Sequence, residues 1–313
     1  MSLIEQAANR LEQLRRAGVE MPEESQVHSP GEAMSDHPGS IDNRPQQTRA
    51  EPPVSDSRTK RVTLDLDALG EAGFITPKIS RAQIADEYRV IKRPLIDNAM
   101  GKGAAPIVNG NLIMVTSAVP GEGKTFTAIN LAMSIAMELD TTVMLVDADV
   151  ANPSVLRVLG LSPGPGLLDV LVKNSVDLAD VLLKTDVEKL TVLPAGSQHP
   201  QATELLASDA MVRLLDDMAK RYDDRIIIFD SPPLLVTTEA KELASHMGQI
   251  VVVTRAERTL HSQIKQALAA IESCPVKLMV LNQASRDPMG SYGYGYGYGY
   301  GYGYGHDKRV SEG

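Results

Sequence analysis

Six short aliphatic runs, each divided from the next by helix-forming sequence, constrain this chain more than any other feature. They are Leu112–Thr116, Val143–Val146, Leu190–Leu193, Ile226–Phe229, Ile250–Val253 and Leu278–Leu281. Runs this nearly continuous read as strands buried on both faces. The stretches between them carry helical spacing. Residues 124–139, for example, set Ala128, Leu131, Ala132, Ile135, Ala136 and Leu139 on one face. Strand and helix in alternation predict an α/β fold, a mostly parallel sheet with helices on both faces. There is no Trp, and outside the C-terminal run the aromatics are Phe74, Tyr88, Phe126, Tyr222 and Phe229. The core must therefore be built from Leu, Ile, Val, Met and Ala.

The flanks read differently. Leu3, Ala7, Leu11 and Leu14 fall at helical spacing, and Gly18 stops the pattern, which predicts a short amphipathic helix. Residues 21–60, rich in Pro, Ser, Gln and charge, read as a disordered linker. In 61–67, Val62, Leu64 and Leu66 alternate with polar residues and predict a short edge strand. A helix from residue 80 should end at Arg93, because Pro94 removes a donor and clashes with the preceding turn. From Ser291 to Gly305 the chain is a strict Tyr-Gly alternation, with tyrosines at 292, 294, 296, 298, 300, 302 and 304. Such a run cannot bury enough surface to offset the entropy of ordering, so it reads as a flexible tail presenting phenols. The resulting partition is 1–60 helix and linker, 61–79 edge segment, 80–285 α/β domain and 286–313 tail.

Net charge is −9, which argues against nonspecific binding to nucleic acid or anionic lipid. The single Cys274 excludes an internal disulfide. No apolar run is long enough to span a bilayer, and the N-terminus lacks a signal-peptide core, so the expected location is the cytoplasm. The six histidines form no close ligand pair. Metal use is then expected to be Mg2+ carried with nucleotide.

Strand Leu112–Thr116 leads into Ala118, Val119, Pro120, Gly121, Glu122, Gly123, Lys124 and Thr125, and a helix follows. This is the strand–loop–helix setting of a P-loop. Glycines let backbone N–H groups approach phosphate, and the helix N-terminus favours negative charge. Lys124 should neutralise β/γ-phosphate charge, and Thr125 should ligate Mg2+. Ala118 stands where the usual pattern begins with glycine. Asp147 and Asp149 end strand Val143–Val146 with their side chains pointing the same way, a pair able to hold a hard cation and accept a proton. Asp230 ends the run Ile226–Phe229, as a Walker B acid does. The fold expected is thus P-loop NTPase-like. An ATP site and a string of phenols in one chain suggest that the first phosphorylates the second.

Together SAVPGEGKT, VMLVDADVANP and IIIFDSPPLL resemble the cytoplasmic kinase domain of the bacterial tyrosine kinases, the BY-kinases. The N-terminal MSLIEQAANRLEQLRRAG and EYRVIKRPL look like the exosortase-associated subgroup that serves exopolysaccharide export. The resemblance implies Lys124 and Thr125 as the Walker A pair, and Asp147 as the base that deprotonates an incoming tyrosine. Asp149 and Asp230 would act at Mg2+, and Asn282 would contact the base of ATP. Family members often carry Arg two residues after the second Asp; here that position is Ala151, and no cation is assigned there. The resemblance further implies a homo-oligomeric ring built through a charged helix, for which Asp86, Arg89 and Lys92 offer the spacing on one face. It also implies a membrane-embedded polysaccharide chain-length or activator protein as partner, which would hold the kinase at the inner membrane. The competing class is a ParA/MinD-type ATPase switch. Its signature lysine early in the loop is replaced here by Val119, which favours the kinase.

Overall fold

The aliphatic runs pair side by side. In the computed structural model, which describes residues 59–79, 82–172, 175–221 and 225–284, they build one eight-stranded sheet. The chain enters through β1 (Lys60–Val62) and α1 (Leu66–Glu71), then a 3-10 turn and α2 (Gln83–Ala99). Next come β2 (Leu112–Ser117), α3 (Lys124–Ala136), β3 (Thr142–Asp147) and the short helices α4 (Val155–Val158), α5 (Leu167–Val172) and α6 (Leu178–Val181). Then follow β4 (Leu183–Thr185), β5 (Leu190–Leu193), α7 (Ala202–Leu206), α8 (Asp209–Arg221) and β6 (Arg225–Asp230). Helix α9 (Glu239–Ser245), β7 (Gln249–Arg255), α10 (His261–Ala270) and β8 (Val276–Asn282) complete the domain.

Strand order is β1-β4-β5-β3-β6-β2-β7-β8. All pairings are parallel except β4 with β5. A parallel sheet needs crossover helices, and these cover both faces. One face packs Leu167 and Leu168 of α5, Leu215 of α8, Leu243 of α9 and Ala267 of α10. The other packs Leu69 of α1, Tyr88 and Leu95 of α2 and most of α3. The core is aliphatic, as the composition requires.

Local sequence misreads several places. Helix α2 does not stop at Arg93; it runs through Pro94 to Ala99. Pro94 forfeits one bond to the Val90 carbonyl, but Val90 is exposed and water can serve that carbonyl. Fully buried Leu95 then holds the following turn against α3. Helix α3 ends at Ala136, and Leu139 lies beyond it, 85 % exposed rather than on the packed face. The helix itself is buried all round from Thr127 to Ala136. The edge strand is shorter and earlier than the alternation predicts. It ends at Val62 because the Asp65 carboxylate accepts from the Ala68 N–H at 3.0 Å and starts α1. Residues 64–76 then join the core: Ile75 N–H donates to Asn130 of α3 at 2.7 Å, and the Phe74 and Phe126 rings lie 4.9 Å apart. Strand β4 gave no sequence signal. The N-terminal helix and the Tyr-Gly tail lie outside the described residues.

Candidate active site

Three adjacent strands deliver the site. β3, β6 and β2 are neighbours, and their register sets Asp147 beside Asp230 and Asp230 beside Val115. All three chains emerge at the same C-terminal edge, where ligands bind in open α/β sheets. The loop after β2 bends through left-handed backbone at Gly121 (φ 82°) and Gly123 (φ 95°), and α3 starts at Lys124. A Cβ on Gly123 would collide with the Asn282 amide. Ala118 needs no glycine: it lacks positive φ, and its methyl is fully buried in the core.

Glu122 is the unexpected member of the loop. Its side chain turns inward and is 2 % exposed. The carboxylate accepts from Val119 N–H at 2.8 Å, from the Thr259 hydroxyl and from Arg255 N–H at 3.4 Å. On the other side, Asn282 Nδ2 donates to the Glu122 carbonyl at 2.9 Å. The phosphate loop is thereby pinned to the ends of β7 and β8.

The Lys124 ammonium meets Asp149 Oδ2 at 2.6 Å, and both side chains are largely buried. Asp149 Oδ1 accepts from Asn152 N–H at 3.2 Å. Thr125 and Ser154 share a hydroxyl hydrogen bond of 3.0 Å. Asp147 Oδ2 accepts from the N–H groups of Ser154 (3.0 Å) and Val155 (2.9 Å), while its Oδ1 is buried without a partner. Neither oxygen of Asp230 meets a donor at full hydrogen-bond geometry, although the Thr125 hydroxyl is close enough to favour its charged form. Burial is the main cause that lifts Asp230 to about 7, against the pull of Lys124. Burial likewise lifts Asp147 to about 6, partly offset by the two backbone donors. Buried acceptors left open beside a lysine are what a site for a cation and phosphate requires.

Lys124, Thr125, Asp147, Asp149 and Asp230 therefore converge, and Asn282 reaches the loop from its other flank. Pro120 and Val119 complete the loop. Asp86, Arg89 and Lys92 do not share one exposed face. Asp86 and Arg89 pair with each other near the surface. Lys92 turns inward to Glu138 at 2.7 Å and the Ser134 carbonyl at 2.5 Å. Two residues escaped the sequence reading. Ser154 links Thr125 to Asp147, and its only signal is a position just before α4. Thr259 holds Glu122, with no sequence signal at all.

Comparison with known proteins agrees with this geometry. Residues 110–279 match the family model described as an AAA domain. Over 183 residues the chain is 35% identical to "Tyrosine-protein kinase YwqD" of Bacillus subtilis (strain 168), covering 58% of this chain and 76% of that one. The chain belongs to the bacterial tyrosine-protein kinases. Another member, the "Putative tyrosine-protein kinase EpsB" of Ralstonia nicotianae, is 33% identical over 57% of this kinase, which spans 23% of that protein. Among solved structures, that of the chimerical protein CapA2B2 matches with TM-score 0.58 and 26% identity, over 70% of this kinase and 99% of that chain. The kinase is thus a P-loop, ATP-binding protein-tyrosine kinase domain.

Proposed function

We propose that this kinase is an ATP- and Mg2+-dependent autokinase whose acceptors are Tyr292, Tyr294, Tyr296, Tyr298, Tyr300, Tyr302 and Tyr304 of a neighbouring copy. The observation that carries the reading is the unpartnered, buried Asp147 Oδ1 at the edge where Lys124 also emerges. With nucleotide bound, Lys124 would pair with phosphate oxygens in place of Asp149, and Asp149 would be available to hold Mg2+. The Thr125 hydroxyl and the two open oxygens of Asp230 fit Mg2+, which supplies charge compensation on the phosphates when bound. Mg2+ would arrive with the nucleotide, as it does where phosphates supply part of its shell. Asp147 takes the phenol proton as the phenol oxygen bonds to the γ-phosphorus and the bond to ADP breaks. At about 6 it is a stronger base than an ordinary Asp, yet ionised at neutral pH. Asn282, on the β8 flank, takes the base side.

Tyr88 cannot serve as acceptor. It is 6 % exposed, and burial pushes its phenol up to about 12. We assign the kinase to a homo-oligomer, with Asp86 and Arg89 on its assembly face and Lys92 acting inside the fold. We further assign it to regulation of exopolysaccharide synthesis or export, at the cytoplasmic side of the inner membrane through a membrane-embedded activator. Among the described residues no helix is long and apolar enough to cross a membrane. The resemblance of the N-terminal segment supports this assignment.

The test mixes a Lys124→Met chain that keeps its tail with an active chain whose seven tail tyrosines are Ser. After Mg-ATP, intact mass should reveal several phosphates on the Lys124→Met chain. Its mass staying unchanged would sink the route between copies.

A further inference from the structure

The two edges of the sheet are unlike. β1 closes one side with three residues, whereas β8 ends the other with seven, Val276–Asn282. Among the described residues nothing pairs with the outer edge of β8. Ala256 N–H donates to the Asn282 carbonyl, so the even-numbered residues of β8 turn their backbone groups toward β7. Lys277, Met279 and Leu281 then turn theirs outward. Their side chains share one face, where Met279 stands beside Val252 and Leu281 beside Thr254 of β7. Ala267 of α10 belongs to the same buried cluster as Val252, yet Met279 is left 49 % and Leu281 66 % exposed. Sheet edges are ordinarily guarded by charge. The one charged side chain of this strand, Lys277, instead bends back to the Glu272 carbonyl at 3.2 Å and to that of Cys274. An open backbone edge with apolar side chains along it is a surface for an added strand.

The sequence that continues from β8 fits this surface. Gln283 has left-handed backbone (φ 56°) and donates its N–H to Asn282 Oδ1 at 2.9 Å, and left-handed residues are what reversing turns use. Residues 283–290 then separate β8 from the Tyr-Gly run, and a loop of that length closes at little more entropic cost than a shorter one. In an extended strand successive side chains point to opposite faces, so the run would carry every phenol on one face and every glycine on the other. We propose that the Tyr-Gly run of the same chain docks on the outer edge of β8 as an antiparallel strand. Its phenols then lie on the open face: with Tyr292 opposite Leu281, Tyr294 falls opposite Met279 and Tyr296 opposite Lys277. Such cross-strand pairs, a thioether against an aromatic ring among them, are favourable. A slip of two residues repeats the contacts with the next phenols, so any three consecutive tyrosines can fill the edge. The tether selects the chain's own tail, because a short linker sets an effective concentration on the order of millimolar.

The docking stands on the edge and the run alone; its consequence rests on the kinase reading above. β3 lies four strands from β8, across β7, β2 and β6, about 19 Å. A phenol held on β8 is therefore kept from Asp147 of its own chain and is not free to leave for a neighbour. The edge stores unmodified acceptors. Phosphates on alternate residues of the docked run would stand about 6.7 Å apart over an apolar surface, each with about −1.5 to −2 charges. A modified run thus leaves the edge, and an unmodified one returns.

The test compares amide exchange, residue by residue in NMR spectra, between the full chain and a full chain whose seven tail tyrosines are Ser. With the natural tail, the amides of Met279 and Leu281 should exchange at least tenfold more slowly. Those of Leu278 and Val280, which face β7, should differ less than twofold. Equal exchange of Met279 and Leu281 in the two chains would overturn the docking. Met279→Pro removes one outward N–H and none of the β7 ladder, and an edge strand tolerates proline there. It should bring the Leu281 amide to the rate of the Ser chain. Met279→Lys keeps the backbone donor and should speed the Leu281 amide at least threefold. Indifference to both variants would also overturn the docking. Protection should survive tenfold dilution; its loss would give the edge to a second copy and overturn the chain's own tail as occupant. Incubation with Mg-ATP should abolish the protection, and its persistence on chains whose intact mass has gained phosphate would overturn the release. Protection in a chain that gains no phosphate would leave the docking standing and remove the kinase reading, and with it the store.

Discussion

Two lysines in this domain, Lys92 buried and Lys124 largely so, are each paired with a carboxylate, and they serve opposite ends. Lys92 on α2 meets Glu138 at 2.7 Å and the Ser134 carbonyl at 2.5 Å. Lys124 at the start of α3 meets Asp149 at 2.6 Å. The difference lies in what surrounds them. Around Lys92 the partners are complete, so the ammonium ties α2 to the end of α3. Around Lys124 stand Asp147 and Asp230, with three carboxylate oxygens that meet no donor at full hydrogen-bond geometry. A satisfied buried pair holds a fold. An unsatisfied one costs stability and is kept for binding.

The strongest way to break this contrast is Lys124→Met. Charge stabilisation of the transferring phosphoryl group rests on this side chain, so phosphotyrosine formation should fall about 1,000-fold or more. Circular dichroism should show the fold retained. A variant with near-normal activity would make the two lysines equivalent. Lys92→Met should do the opposite. It leaves the Ser134 carbonyl without a donor and Glu138 with only the looser Arg93 contact at 3.7 Å, at a cost of about 1–3 kcal/mol in a urea melt. Activity per folded molecule should stay near normal. Adding Glu138→Leu should restore part of the stability, because the carboxylate that has lost its main partner is gone.

The pH responses should carry opposite signs, with smaller amplitudes. Asp230 is raised from 3.8 to about 7, so the folded state holds its proton more tightly than the unfolded one. This group therefore costs stability as pH rises from 3.8 through 7. Asp230→Asn should remove that slope and stabilise the protein by about 1–3 kcal/mol at pH 8, while abolishing activity. Glu138 behaves in reverse. Burial alone would raise it, but the hydrogen bond and charge of Lys92, with Arg93 and Arg89, hold it below its ordinary 4.5. Its contribution is present above 4.5 and is lost as pH falls through the folded value. Glu138→Gln should flatten the acid limb of the stability curve measured by urea melts between pH 3 and 6. Limbs of the same sign for the two variants would refute the comparison.

The same contrast explains what could be read in advance. Parallel strands buried on both faces must be continuous apolar runs, so six of the eight strands were legible, with ends displaced by a residue or two. The phosphate loop and the carboxylates at strand ends are short phrases fixed by phosphate and metal chemistry. Lys92 was not legible. Steps of three residues turn about 60° back around a helix, so Lys92 stands about 120° from Asp86. Its partner, Glu138, lies on a segment that local spacing cannot anticipate. Pro94 was misread for a related reason: local cost was visible, while the packing of Leu95 that outweighs it was not. Ser154 became visible only when Asp147 and Thr125 were seen on either side of it.

Glu122 has a consequence on another timescale. Loop amides without buried partners exchange with solvent during small local openings. Here the Val119 N–H donates to a buried carboxylate that also holds the β7 end and Thr259. Freeing that amide means lifting Glu122 out of three partners at once. The loop then shares the fate of β7 and β8, and its amide protons should wait for the opening of that whole edge of the sheet.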